Sequence, residues 1–195
     1  LERLGPGDVV LLHGCCHNPT GANLTEAQWD QVAASLARTG ALPLIDLAYQ
    51  GFGDGLDADA YGTRRIVSSV PEALVAFSGS KNFGLYRERI GAAMVVSRDA
   101  AAADIVQSQL LNIVRAAYSQ PPDHGAEIIR LVLTDKDLRA EWEAELASTR
   151  NRMIHLREKL AEAIRRKSNT ADFDFLARHR GMFSLLGLPP AAVER

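Results

Sequence analysis

Apolar and polar positions follow two spacings along this chain. Short, nearly unbroken apolar runs, Asp8 to His13 (DVVLLH), Leu42 to Leu47 (LPLIDL), Ala73 to Phe77 and Ile90 to Val96, read as strands covered on both faces. Between the first two the spacing changes to three and four. Thr25 followed by Gln28 makes a capping box, Trp29, Val32, Ala33, Leu36 and Ala37 form an apolar stripe, and Gly40 is a stop. A second helix is expected around Ala58 to Val70, after the glycine-spaced turn Gly51 to Gly55. Strand–helix–strand order implies a right-handed parallel crossover, and its repetition predicts an α/β fold with a mainly parallel sheet.

The second half is helical. An alanine-rich helix is predicted from Asp99 to Ala117, a break at Pro121-Pro122, and a shorter helix to about Leu133. Leu138, Trp142, Leu146, Thr149, Met153, Leu156, Leu160 and Ile164 then recur every three or four residues. One helix over about 136–167 satisfies that pattern, and a helix so long is expected to bridge two domains. Phe173 to Leu176 and Met182 to Leu186 are strand-like.

Composition narrows the classes. At 195 residues the chain can bury one sizeable core and part of a second domain. A net charge of −2 gives no electrostatic case for nucleic acid or an anionic membrane, and no apolar run approaches a membrane span. Cys15 and Cys16 are adjacent and poorly suited to a structural disulfide, so a reducing cytoplasm is expected. The chain opens on Leu1 and stops at Arg195, where a Pro-led helix begins within Leu188-Pro189-Pro190, and it is expected to be an internal piece of a longer protein.

Polar groups gather where the strands end: His13 to Asn18, Asp46 with Tyr49, Ser78 to Lys81, and Arg89. In a parallel sheet those ends lie along one ligand-binding edge. Phe77 to Arg89 combines two serine hydroxyls, one lysine, two glycines and an arginine pair. A covalent amine catalyst working on a phosphorylated cofactor needs such groups; a basic, solvated loop is the alternative. Asp46 ends an apolar strand, where a carboxylate either binds a cation or caps a helix. Tyr49 either turns its phenol to the same place or packs.

Three stretches carry a resemblance. His13-Gly14-Cys15-Cys16-His17-Asn18-Pro19-Thr20-Gly21, Asp46-Leu47-Ala48-Tyr49-Gln50-Gly51-Phe52 and Ser78 to Arg89, with Arg115-Ala116-Ala117-Tyr118-Ser119 and Arg180-Gly181-Met182-Phe183-Ser184, are similar in order and spacing to the aspartate and aromatic amino-acid aminotransferases. Those are pyridoxal-phosphate enzymes of fold type I. The resemblance implies a three-layer large domain with a mainly parallel sheet over 1–149 and the start of a smaller α+β domain over 150–195.

It also implies roles. Lys81 would form the Schiff base with pyridoxal 5'-phosphate and move the proton at the substrate α-carbon. Asp46 would keep the pyridine nitrogen protonated, while Tyr49 and Asn18 would hydrogen-bond the ring oxygen. Ser78, Ser80 and Arg89 would hold the phosphate, with His13 and His17 as support behind the ring. Arg115 would reach across a homodimer interface to a substrate side chain in the partner's site, and Asn18 would also touch substrate. The substrates implied are aromatic amino acids or aspartate with 2-oxoglutarate as acceptor, leaning to the aromatic branch. Gln120 and Ala117 stand where the family commonly carries Asn, beside Arg115. The family's other phosphate-binding turn and its carboxylate-clamping arginine fall outside this sequence, so the piece alone is expected to bind cofactor weakly and not to turn over. Asn18-Pro19 is a candidate cis peptide.

Other readings are weaker. A metal site on His13-Gly14-Cys15-Cys16-His17 is not expected, because zinc sites space their cysteines and need a second ligand pair, and strand alternation sends Cys15 and Cys16 to opposite faces. Ser78-Gly79-Ser80-Lys81 fits the S-x-x-K pattern of serine hydrolases, but their Ser-Asp-Asn and Lys-Thr-Gly partners do not occur. Gly51 to Gly55 lacks dinucleotide spacing. A catalytically silent scaffold of the same fold would have no use for Lys81, Asp46, Tyr49 and Arg89 together.

Overall fold

The computed structural model of the protein describes residues 3–189 and residue 191. Four strands, β1 (Val9–His13), β2 (Leu42–Leu47), β3 (Ala73–Ser78) and β4 (Gly91–Val96), form one sheet in the order β1-β2-β3-β4. β1 pairs with β2 and β2 with β3 in parallel; β4 returns antiparallel to β3. Helices α1 (Glu26–Thr39) and α2 (Leu56–Val67) are the crossovers, followed by α3 (Ala100–Ala117), α4 (His124–Thr134), α5 (Lys136–Ser168) and a short 3-10 helix, Asp174–Arg178. The Pro-led helix expected at the end of the chain lies outside the described residues.

Local chemistry sets the boundaries. The capping box at α1 is complete: the Gln28 amide donates to Thr25 Oγ1 at 3.3 Å and the Thr25 amide to Gln28 Oε1 at 2.9 Å. Gly40 ends the helix at φ 71°, in the left-handed region that glycine enters freely. Asp99 and Asp135 cap α3 and α5 through their carboxylates. α2 begins two residues before the expected Ala58 and stops short of Val70. Ser68 and Ser69 both donate back to the Arg65 carbonyl, at 3.0 and 2.7 Å, which competes with continued helix.

The core lies between one face of the sheet and the crossover helices. Trp29, Ala33 and Leu36 of α1 meet Ile45 and Leu47 of β2, Val75 of β3 and Ile66 of α2, and α5 adds Leu146. Within this chain the second face of the sheet is left partly open. Val9 and Leu11 are 57% and 61% exposed, and α3 buries no residue. The two strand-like runs near the end are not strands. Phe173 to Leu176 enters the 3-10 helix, where Leu176 alone is fully buried, and Met182 to Leu186 is irregular and largely exposed. A run of four or five apolar residues has no strand identity without an edge to pair with.

α1 and α2 pack through a glycine. A Cβ at Gly62 would lie 2.2 Å from the Trp29 indole. Alanine is the better helix former by about 1 kcal/mol, yet overpacking typically costs about 1–3 kcal/mol. Gly62→Ala is therefore expected to lower the urea midpoint, and Gly62→Ala combined with Trp29→Leu to recover part of the loss.

Candidate active site

Parallel register brings the polar strand ends together. His13 is the Cα partner of Asp46, and Asp46 of Ala76, two residues before Ser78. Beyond His13 the chain turns through Cys16, at φ 52°, and the cis Asn18-Pro19 bond. The Asn18 amide donates to His13 Nδ1 at 3.2 Å, and the His13 and His17 rings lie 4.4 Å apart. Burial and the neighbouring His17 hold the His13 imidazole below its ordinary range, with Asp46 opposing.

After β2 the chain passes Tyr49, which is 7% exposed. Burial raises its phenol, and a hydrogen bond with the Asn18 side chain works against that rise. Lys81 follows β3 and lays Nζ over the Tyr49 ring, 5.0 Å from its centroid. Lys81, Tyr49, Asn18, His13 and Asp46 therefore share one sheet edge.

The hydroxyls and the guanidinium sit beside the lysine. Ser80 is buried, its amide donates to Ser78 Oγ at 3.2 Å, and Arg89 Nη1 donates to Ser80 Oγ at 3.3 Å. Arg89 has φ 51°, and its side chain also reaches the Tyr86 carbonyl at 3.0 Å. Two hydroxyls and a guanidinium in one cradle form a donor set for an oxyanion. Arg115 does not join this group. It lies exposed on α3, tied to the site by no hydrogen bond among the described residues.

Several neighbours were not legible as site residues. Asp59 of α2 is buried and accepts from the amides of Gly51, Gly53 and Asp54 at 2.7, 2.9 and 2.8 Å, which fixes the turn after Tyr49. Burial pushes its carboxyl up against the pull of those amides. The signal available was an aspartate in a helix's first turn, just after glycines with free amides. Phe83 stacks on Trp142 at 4.5 Å, and Trp142 Nε1 donates to the Asn82 carbonyl at 2.7 Å, pinning the residues after Lys81 to α5. Arg157 of α5 donates to the carbonyls of Gly181 and Phe183 at 2.6 and 2.7 Å and also bonds Ser184 Oγ. Phe183 then meets Tyr49 edge-on at 6.0 Å. No helix-face pattern marks such long-range contacts.

The pairing of Cys15 and Cys16 departs from expectation. Their thiols do not diverge: with the Asp59 carboxylate they lie within 4.8 Å of one another. The strand has ended at His13, so alternation no longer governs where they point.

The family model for aminotransferase class I and II matches residues 1–195. The chain is 57% identical over 189 residues to the aromatic-amino-acid aminotransferase of Paracoccus denitrificans, covering 97% of this chain and 48% of that protein. It is 46% identical to the aspartate aminotransferase of Haemophilus influenzae, over the whole chain and 49% of the relative. Among solved structures, the aromatic-amino-acid aminotransferase of Burkholderia pseudomallei covalently bound to pyridoxal phosphate superposes with a TM-score of 0.95 at 41% identity, over 100% of this chain and 49% of that one. An aromatic amino acid aminotransferase with 3-indolebutyric acid superposes at 0.97 with 56% identity, again over 100% and 49%. The chain thus spans about half the length of the relatives it matches.

His13 and His179 are both held below the ordinary imidazole range, chiefly by burial. The unfolded chain therefore binds more protons than the folded one as pH falls. Stability attached to the neutral rings is complete above their unfolded pKa and is lost as pH drops through the folded values. Urea unfolding is expected to show stability falling from about pH 7 to about pH 5, and His13→Gln and His179→Gln each to flatten that slope. An unchanged slope in both variants would contradict the assignment.

Proposed function

This chain belongs to the aminotransferase class I and II family, and from that we propose that it carries the cofactor-binding core of an amino-acid aminotransferase using pyridoxal 5'-phosphate. One observation carries the reading: Lys81 Nζ lies over the Tyr49 ring, 5.0 Å from its centroid, at the edge where Asp46 stands one residue before the end of β2. The residues fit the cofactor by their chemistry. Arg89, Ser78 and Ser80 suit a phosphate, the Lys81 amine an aldehyde carbon, the Asp46 carboxylate a protonated ring nitrogen, and Tyr49 with Asn18 a ring oxygen. When bound, the cofactor supplies a ring that accepts the electrons left on the substrate α-carbon.

In this proposal the protein's own groups bind, orient and carry protons. Lys81 takes the proton from the substrate α-carbon and returns one on the other side of the cycle. Asp46, beside His13 in register, would supply the carboxylate that keeps the ring nitrogen protonated. The buried Tyr49 donates from its hydroxyl, and Asn18 donates from its side-chain amide. Phe183 and the loop held by Arg157 exclude water from the Tyr49 side.

The substrates proposed are amino acids and 2-oxo acids, with aromatic amino acids or aspartate as donors and 2-oxoglutarate as acceptor. The names of the relatives, aromatic-amino-acid and aspartate aminotransferase, support the two donors. The working unit proposed is a cytoplasmic homodimer with shared sites, Arg115 reaching the partner subunit's site from its exposed place on α3. Residues 1–149 would belong to the large domain and 150–195 to the start of the small one, joined by α5. No helix among the described residues is long and apolar enough to cross a membrane.

Pyridoxal phosphate added to the intact protein is expected to give a visible absorption band that borohydride abolishes and Lys81→Ala lacks. Asp46→Asn is expected to keep the band and lower turnover about 10²–10⁴-fold, the range for a lost proton-holding group. Arg89→Gln is expected to weaken cofactor binding about 10–100-fold, the range for a lost hydrogen bond to a charged group. An intact protein without the band favours the scaffold reading instead.

A further inference from the structure

Behind the proposed cofactor edge lies a cluster that the aminotransferase reading leaves without a task. Cys15 and Cys16 are 6% and 1% exposed and Asp59 is 4% exposed, and one donor atom from each falls within 4.8 Å of the others. The chain strains to make this cluster. Cys16 takes φ 52°, a left-handed conformation that costs an L-residue with a Cβ about 1–2 kcal/mol. Asp59 arrives from α2 with its carboxylate already aimed by three backbone amides. The adjacent Cys16 and burial push the Cys15 thiol up, so a cation binding here has to displace its proton; Cys16 already has the Arg157 guanidinium and, at 4.0 Å, the Tyr49 carbonyl near it, while Asp59 has no cationic neighbour among the described residues.

A cavity beside the cluster gives a ligand room, and a hydroxyl without a partner lies next to Gly14. Thr63, one turn beyond Asp59 on α2, has a buried hydroxyl with no hydrogen-bond partner. That Oγ1 lies 2.9 Å from where a Cβ on Gly14 would stand, beside Cys15. Cys15 and Asp59 also line a cavity of about 280 Å³ that carries Glu26 and Asp54 on its wall, which gives a cation an acidic approach and room for water. The scale is also suitable. A tetrahedral cation with metal–sulfur bonds of about 2.3 Å holds its donors about 3.8 Å apart, so the cluster has to draw in by at most about 1 Å.

We propose that Cys15, Cys16 and Asp59 form a binding site for one soft, thiophilic divalent cation of the zinc and cadmium class. Thiolate donors select such ions over magnesium or calcium. On binding, each thiol releases its proton to solvent and forms one metal–sulfur bond. Asp59 supplies a carboxylate oxygen, and a water from the cavity takes the fourth position. No electrons change hands, so no oxidant or reductant is needed. The site sits two residues before Asn18 and joins the loop after β1 to the first turn of α2, so an ion there would hold both.

The test uses the intact protein, stripped with a chelator and titrated with Cd²⁺. This sequence has 2 cysteines, and they are these, so the serine variants show whether a thiolate-to-cadmium band in the ultraviolet comes from them. The expected result is that band at one Cd²⁺ per chain, with two protons released. Cys15→Ser and Cys16→Ser should each lose the band and weaken binding more than about tenfold, and Asp59→Asn should weaken it about tenfold. Asp59 also holds the turn at Gly51 to Asp54, so its variant counts only if circular dichroism shows it folded; the two serine variants decide otherwise. No band in the folded wild type, or a band that survives Cys16→Ser, overturns the site.

Discussion

Parallel pairing of β1, β2 and β3 is the constraint on which the rest depends. It stops three segments of chain at one level, so that His13, Asp46 and the hydroxyls after Phe77 emerge side by side. An antiparallel arrangement of the same strands would send Asp46 to the far end of the sheet from Ser78. The apolar faces of α1 and α2 secure the pairing by burying Ile45 and Val75, and each such residue contributes about 1.5–3 kcal/mol. Chemistry at the edge is thus bought with burial beneath it.

A second constraint works from the other side. α5 runs for 33 residues, and three of its side chains fix three different loops. Trp142 holds the carbonyl of Asn82, next to the lysine; Arg150 Nη1 donates to the Gly51 carbonyl at 3.1 Å; Arg157 gathers Gly181, Phe183 and Ser184. Backbone carbonyls, rather than carboxylates, are the acceptors for the first two and for most of the third. Such contacts position loops without adding charge near the reacting groups.

Much of this was legible in the chain. Thr25 with Gln28, Gly40 and the LPLIDL run each obey local rules, and local rules are where sequence is most informative. The polar strand ends were legible because three of them fall at the ends of apolar runs, and the cis bond at Asn18-Pro19 was anticipated. Misreadings came from interactions that skip far along the chain. Met182 to Leu186 has a strand's composition and no strand to pair with. Strand alternation would send Cys15 and Cys16 to opposite faces, but the strand ends at His13 and the left-handed Cys16 turns the chain. Arg157 and Trp142 act over separations that no periodicity reports.

The central claim is that Lys81, and no other amine, is placed to bond the cofactor. The chain contains 4 lysines; Lys136, Lys159 and Lys167 lie on α5, and Lys81 alone follows a strand of the sheet. Reducing the intact protein with borohydride in the presence of pyridoxal phosphate, then mapping peptides by mass spectrometry, tests that placement directly. The account predicts one pyridoxyl group per chain, on Lys81. A label spread over the α5 lysines, or carried by one of them with Lys81 unmodified, would contradict it.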